Sequence, residues 1–313
     1  MFVRDLRELS QGPGGLHSLV MATIRVDGAQ ATLRGLDDPA EFLRTCLSFP
    51  HPARFYSRAF RERRWDGNVM LFTGSTFPSG FVERVVAALA AINVRCSVSV
   101  RGGEALSPDL VPPDYLAGIT LRDYQVEAIH TMLRCPRGAL KEPTGSGKTA
   151  IIAATARAFW EEKGWPSLIV VPKKGLAVQT HEAFENYYGG DLTVGLAGDG
   201  VREDGPVTIA TAQTLINFKD RTVKGRGRVR GDEWLRDLLK QTRVLFFDEC
   251  HRTKSPRWYE VAMSCPAVRR YGLSGTPLVK EELDDLRLEG ATGPIIHETS
   301  ASVLIGAGLA ARP

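Results

Sequence analysis

The chain has 313 residues, 43% hydrophobic and 24% charged, with a formal net charge of +4. Such a length buries a sizeable core and has room for one full domain and a smaller one, while so small a charge excludes diagnosing a nucleic-acid partner from composition. Five widely spaced cysteines without CxxC pairs (Cys46, Cys96, Cys135, Cys250, Cys265) argue against a disulfide framework or a zinc site and for a reducing cytoplasm. Along the chain, the opening MFVRDLRELSQGPGG lacks the apolar core of a signal peptide, and no later apolar run approaches the roughly 18 residues of a membrane span. A soluble, unexported protein with no membrane partner is expected.

Residues 1–20 are glycine-interrupted and read as a flexible tail. Met21 opens the alternating stretch MATIRVDGAQATL, followed by the helix-like PAEFLRTCLSF and FVERVVAALAAI and the strand-like VRCSVSV. A small α+β domain is expected over residues 21–110. Within it, Ala53 to Trp65 holds five arginines against the single acid Glu62, interleaved with Phe55, Tyr56, Phe60 and Trp65. That mixture suits a DNA junction or single-strand contact through Arg61, Arg63 and Arg64, or else an amphipathic element with core aromatics and solvated arginines. Three prolines in SPDLVPPDYLAG mark a linker at 111–118.

Beyond the linker, short apolar runs alternate with helical segments, the pattern of an α/β parallel sheet flanked by helices. Candidate strands end near Glu142, Val171, Ala210, Phe247 and Ser274, and the polar tips PTGSGKT, PKKG, TAQT, DECH and SGTP follow at once. Ligands bind beyond the carboxyl ends of such strands, so five tips on one edge predict one composite site. The run Lys219 to Gly231, with six basic residues and one acid broken by glycines, reads as disordered or as a segment sweeping along DNA.

Two tips carry the chemistry. In EPTGSGKT, residues Thr144, Gly145, Ser146 and Gly147 form a turn whose backbone N–H groups can approach phosphate oxygens, with a helix N-terminus behind them. Lys148 then reaches the β and γ phosphates, and Thr149 offers a hydroxyl to Mg2+. Asp248, closing the apolar run before it, holds the same ion, and Glu249 orients or deprotonates the attacking water. The strict eight-residue loop pattern has glycine where this chain has Glu142, so only the shorter GSGKT core matches.

In their order, these tips resemble the motor core of superfamily 2 DExH-type helicases and translocases, with residues 119–298 as its first lobe, a RecA-like P-loop sheet. The resemblance implies that LRDYQ reads adenine, with Gln125 on the base edge and Arg122 in support. It implies that His251 links the acidic motif to Ser274 and Thr276, and that Lys173, Lys174, Thr211 and Gln213 touch phosphates of one DNA strand. VKEELDD stands where XPB-type repair helicases carry a basic-acidic-acidic signature, here Lys280, Glu281 and Glu282, with lysine in place of arginine. The earlier triplet Arg202, Glu203, Asp204 stands at the wrong place and reads as a decoy. The stretch Ala53 to Phe72 with FPSGFVERV is similar to the N-terminal module of phage UvsW-type recombination helicases.

What the resemblance implies is the N-terminal part of an ATP-dependent DNA helicase or translocase for branched or damaged DNA, using ATP and Mg2+ in a bacterial or phage-infected cytoplasm. The alternatives are an ATP-switched DNA-binding module without catalysis, or an RNA helicase lobe. Such motors close ATP between two lobes, the second bringing arginine fingers on a QxxGRxxR-like segment that this sequence lacks. Residues 299–313 read as the helix or linker toward that lobe. The expectation is ATP binding with feeble turnover alone, the chain being either truncated or half of a split motor completed in trans.

Overall fold

The computed structural model describes residues 21–198, 200–223, 227–252, 256–278 and 283–300. The tail expected over 1–20, the signature residues Lys280, Glu281 and Glu282, and nearly all of the expected C-terminal segment lie outside them. The alternation opening at Met21 makes β1 (Met21–Asp27), which buries Ala22, Ile24 and Val26 and exposes the residues between them. That period of two is what a sheet with one covered face requires. Gly28, at φ 57°, turns the chain into β2 (Gln30–Arg34). Helix α1 (Pro39–Leu47) starts at Asp38, whose carboxylate accepts the Glu41 N–H at 2.9 Å. Next, β3 (Ser48–Pro50) pairs with β4 (Asn68–Met70) across the one-turn helix α2 (Arg58–Arg61). Then β5 (Thr76–Pro78), α3 (Val82–Ala91) and β6 (Arg95–Val100) complete a four-stranded sheet ordered β5-β2-β1-β6, with β6 parallel to β1. Phe42, Leu43, Val85 and Leu89 of the two longer helices pack on Ile24, Leu33 and Phe77.

The proline-rich stretch read as a linker is docked rather than free. Val111 and Leu116 are buried in the core of the next unit together with Leu106, whose N–H donates to Leu133 O at 3.0 Å. Apart from the single 3-10 turn at Pro108–Leu110, prolines keep this segment out of regular structure, and the apolar residues between them fix its course.

A second, eight-stranded sheet follows. Its elements are α4 (Asp123–Arg134), β7 (Arg137–Lys141), α5 (Lys148–Lys163), β8 (Ser167–Val171), α6 (Lys174–Tyr188), β9 (Val194–Gly198), β10 (Val201–Glu203), β11 (Val207–Thr211) and α7 (Ala212–Leu215). After these come β12 (Arg221–Val223), β13 (Gly227–Val229), α8 (Glu233–Gln241), β14 (Val244–Asp248), α9 (Pro256–Ser264), β15 (Arg269–Ser274), α10 (Leu283–Thr292) and β16 (Ile295–Glu298). The order is β10-β9-β11-β8-β14-β15-β7-β16, parallel except for β10 at one edge. Residues of β8, β11, β14 and β15 are buried throughout, which a sheet covered by helices on both faces demands. The five strands read from the sequence are the five consecutive central ones, so their tips share one edge.

Within Lys219 to Gly231, β12 and β13 pair antiparallel, and Asp220 Oδ1 accepts the Gly231 N–H at 2.8 Å. A ladder and its closing bond thus hold the described backbone of a run that reads from its glycines and charges as disordered or as sweeping along DNA.

Candidate active site

β7 delivers the chain to the glycine turn. Gly145 and Gly147 sit at φ 87° and 79°, a region that costs other residues steric strain. Gly147 also caps α5, and a Cβ there would lie 2.2 Å from Gln125 Nε2. The amides of Gly145, Gly147, Lys148 and Thr149 donate to no backbone acceptor among the described residues, which leaves a cluster of N–H groups at a helix N-terminus. Ser146 Oγ is buried and also without a partner among them.

The turn is held from α4. Gln125, only 3% exposed, donates from Nε2 to Ser146 O at 2.8 Å and accepts the Arg122 N–H at 2.9 Å. Tyr124 adds its hydroxyl to the same Ser146 carbonyl at 3.2 Å, a contact that sequence reading missed because nothing in LRDYQ marks the tyrosine. Exposed Arg122 reaches the Tyr124 hydroxyl at 3.3 Å. Gln125 is therefore brought to the glycine turn, with its amide engaged there.

Lys148 Nζ lies 3.4 Å from the carbonyls of both Glu142 and Pro143 and 3.5 Å from Glu249 Oε1. Asp248 ends β14 at 7% exposure and accepts the Glu249 N–H at 2.9 Å. Burial first, and then the neighbouring Glu249 charge, push its carboxyl up to about 6, against the pull of Lys148. Glu249 adopts φ 49°, an uncommon conformation for a residue with a side chain. Its second oxygen lies 3.3 Å from His251 Nδ1, which is 2.8 Å from the buried Ser274 Oγ. That hydroxyl accepts the Thr276 N–H at 3.2 Å. Lys148, Glu249, His251, Ser274 and Thr276 thus form one connected set across the neighbouring strands β7, β15 and β14. Thr149, second in α5, stands at the same end.

Glu142 is fully buried beneath the turn. Its Oε1 accepts the Thr299 hydroxyl at 2.9 Å and lies 3.0 Å from His297 Nδ1, tying β7 to the end of β16. The sequence marked Glu142 only as a departure from a pattern.

The expected contacts after β8 and β11 share this edge but stand apart from the cluster. Exposed Lys173 precedes α6 and exposed Lys174 begins it, at the tip of β8, three strands from β7 or roughly 14 Å at the usual spacing. Thr211 ends β11, one strand further out, where its hydroxyl caps α7 through the Thr214 N–H at 3.2 Å and meets Thr214 Oγ1 at 2.9 Å. Gln213 beside it is exposed. Arg61, Arg63 and Arg64 are exposed in and after α2 of the first unit. Arg202 of the decoy triplet is bonded to Asp232 at 2.6 Å, far along the sheet on edge strand β10.

Comparison with known proteins bears on both units. Residues 118–279 match the family model described as type III restriction enzyme, res subunit. The chain is 30% identical over 191 residues to the DNA 3'-5' translocase XPB2 of Sulfurisphaera tokodaii, covering 60% of this chain and 38% of that protein. It is 22% identical over 303 residues to the ATP-dependent DNA helicase uvsW of Enterobacteria phage T4, covering 90% of this chain and 55% of the relative. The crystal structure of that T4 helicase superposes with a TM-score of 0.71 at 21% identity, over 88% of this chain and 99% of the other, so the two share a fold through both sheets.

Proposed function

The chain belongs to the type III restriction enzyme res-subunit family and is a superfamily 2 helicase domain homologous to XPB translocases and T4 UvsW, and from that premise we propose that it is the ATP-binding lobe and DNA-recognition module of a motor acting on branched or damaged DNA. The observation that carries the reading is the connected set from Lys148 through Glu249 and His251 to Ser274, at the parallel edge of the sheet. The first module is placed at residues 21–110 and the lobe at 119–298. Because the chain spans about one third to about one half of these relatives' lengths, unwinding by the whole motor is part of the proposal.

The residues present fit a magnesium nucleotide. Undonated amides at a helix N-terminus and an unpartnered Ser146 hydroxyl accommodate phosphate oxygens. Lys148, whose ammonium now faces loop carbonyls, has the reach to exchange them for outer phosphates. Asp248 is a buried acid beside another acid, which is where a cation gains most; with the Thr149 hydroxyl it would hold Mg2+. When bound, the nucleotide supplies the phosphoryl group and its cation draws off developing charge. Glu249 orients a water toward that group and takes its proton. His251 carries the position of Glu249 to Ser274, and Lys173, Lys174, Gln213 and the exposed arginines Arg61, Arg63 and Arg64 hold DNA phosphates.

Among the described residues, none of the bonds of Lys148, Asp248 or Glu249 involves an arginine. An arginine from a second lobe, on the same or another polypeptide, is expected to raise turnover by about 10³- to 10⁵-fold. The test is paired: Glu249→Gln should bind ATP as tightly as the parent and lose hydrolysis by at least about 100-fold, while Lys148→Ala should lose binding. Undiminished hydrolysis by Glu249→Gln would overturn the assignment. A chain that binds ATP and DNA but stays inert when the second lobe is added in trans would be a nucleotide-switched binding module instead.

A further inference from the structure

A cavity of about 570 Å³ opens on the first unit, lined by none of the residues of the nucleotide cluster, with Phe55, Phe60 and Trp65 as its aromatic residues and Arg61, Arg63 and Arg64 beside them. Its rings are set edge to face: Phe55 on Phe60 with centroids 5.5 Å apart, Phe60 on Trp65 at 6.4 Å. The arrangement is braced from behind. Trp65 Nε1 donates to Asn68 O at 2.9 Å, and a Cβ on Gly67 would fall 2.6 Å from Phe60 Cε2, so only glycine lets that ring lie against the backbone. Arg63, at φ 54°, closes α2 in a tight turn, with Arg64 N–H donating to Ala59 O at 2.8 Å.

Phe55 remains 64% exposed at the mouth. The Arg54 guanidinium lies over this ring, 4.9 Å from its centroid, and the neighbouring Tyr56 is 87% exposed, so two adjacent aromatic rings stand at the surface among cations. Of the acids nearby, Glu62 is bonded to Arg58 and Arg64, while Asp66, which also lines the cavity, keeps its charge and is turned toward Asn68, accepting its N–H at 2.9 Å and lying 3.3 Å from its Nδ2. Arg61 and Arg63 form no ion pair among the described residues. Flat apolar walls with unneutralised guanidinium groups at the rim match one chemistry, a planar heterocycle attached to a phosphate.

We infer that this cavity takes one unpaired nucleobase of single-stranded DNA, stacked on Phe55, while Arg61 and Arg63 hold the flanking phosphates. The inference rests on the reading that the first unit contacts DNA, and it assigns the strand type. In a duplex the bases are stacked on each other and withheld from such walls, so recognition selects gaps, forks and other junctions with unpaired nucleotides.

The test measures binding of the full chain to a fluorescent single strand, to the same strand with abasic sites, and to a blunt duplex, at several salt concentrations. Phe55→Ala, at an exposed position, should weaken single-strand binding about tenfold, the scale of one base stack. Duplex affinity should change less than about twofold, since a duplex offers no free base face. Phe55→Trp should retain the parent affinity, and the parent should bind the abasic strand as weakly as Phe55→Ala binds the natural one. Arg61→Gln with Arg63→Gln should lower the salt slope by about 1 to 2 for single strands. If the parent binds DNA but Phe55→Ala binds the single strand just as tightly, or loses duplex and single strand alike, the pocket is overturned while DNA recognition stands. If the parent binds no DNA, the reading beneath it fails as well.

Discussion

Asp248 is held 7% exposed beside a second carboxylate, and burial with that neighbour pushes its acid group from 3.8 up to about 6. Because the folded value lies above the unfolded one, the folded state resists ionisation. The associated stability is complete below about 4 and is lost as pH rises through about 6. Asp248→Asn should therefore be more stable than the parent at pH 7.5 by about 1–3 kcal/mol, the gap closing toward pH 4.5. Urea unfolding in magnesium-free, nucleotide-free buffer checks this; equal stability at both pH values would mean that the carboxylate is at ease without a cation. Glu142 makes the opposite case. Its buried carboxylate holds His297 and Thr299, so Glu142→Ala should cost about 2–4 kcal/mol by stranding both partners, and Glu142→Gln clearly less. Glu142→Gly restores the usual loop pattern and should destabilise all the same; a denaturant midpoint at or above the parent's would refute that role. The meeting of Lys148, Asp248 and Glu249 was legible in the sequence because they belong to two short motifs that each follow an apolar strand. The partners of Glu142 were not, since they lie 155 and 157 residues away and nothing in their own neighbourhood marks them.

At the scale of elements, strands that carry a short apolar run and are buried along almost their whole length could be read directly, and all five of these fall consecutively in the middle of the sheet. Those missed carry weaker signals. β9 reads VGLAG, with two glycines in five residues, and β16 lies at the edge with Ile295 and Glu298 exposed, so neither shows a continuous apolar run. The docked segment around Val111 was missed for a different reason, because prolines argue against regular structure without arguing against burial. Between elements, the contact of α4 with the phosphate turn gives a sharp prediction. Gly147→Ala puts a side chain at φ 79° and 2.2 Å from Gln125 Nε2, so both the backbone and the bond from Gln125 to Ser146 must yield. The expected cost is about 1–2 kcal/mol of stability. Displacing the turn should also lower ATP affinity by at least about tenfold in titration calorimetry, the loss of one well-placed phosphate contact. Parent affinity in a stable variant would show that the turn tolerates movement.

For the whole molecule, the question is whether the two sheets unfold as one. The short turn at Ser79–Phe81 lies on α10 so closely that a Cβ on Gly80 would sit 1.8 Å from Glu289 O and 2.7 Å from Gly290 O. Nearby, a Cβ on Gly28 would meet Pro266 O at 2.6 Å, and Leu286 of α10 is buried within the core of the first unit. The ion pair Arg84–Glu289, at 2.8 Å and with the arginine 39% exposed, adds at most about 1 kcal/mol. Apolar burial and backbone contact therefore carry the junction. Helix α10 also packs on β7 and β15, the strands that deliver the phosphate turn and Ser274, so the surface holding the first unit is part of the nucleotide lobe's own frame. Gly80→Ala forces main chain from main chain, and neither side has a flexible end to give way. The expected loss is about 1–3 kcal/mol. If both sheets belong to one cooperative block, it appears as a single lowered urea midpoint together with faster hydrogen exchange at the amides of β1 and of β14, by about five- to a hundredfold at both. Faster exchange confined to β1, with β14 unmoved, would mean that the first unit melts alone and that DNA bound there cannot bias the nucleotide site through this junction.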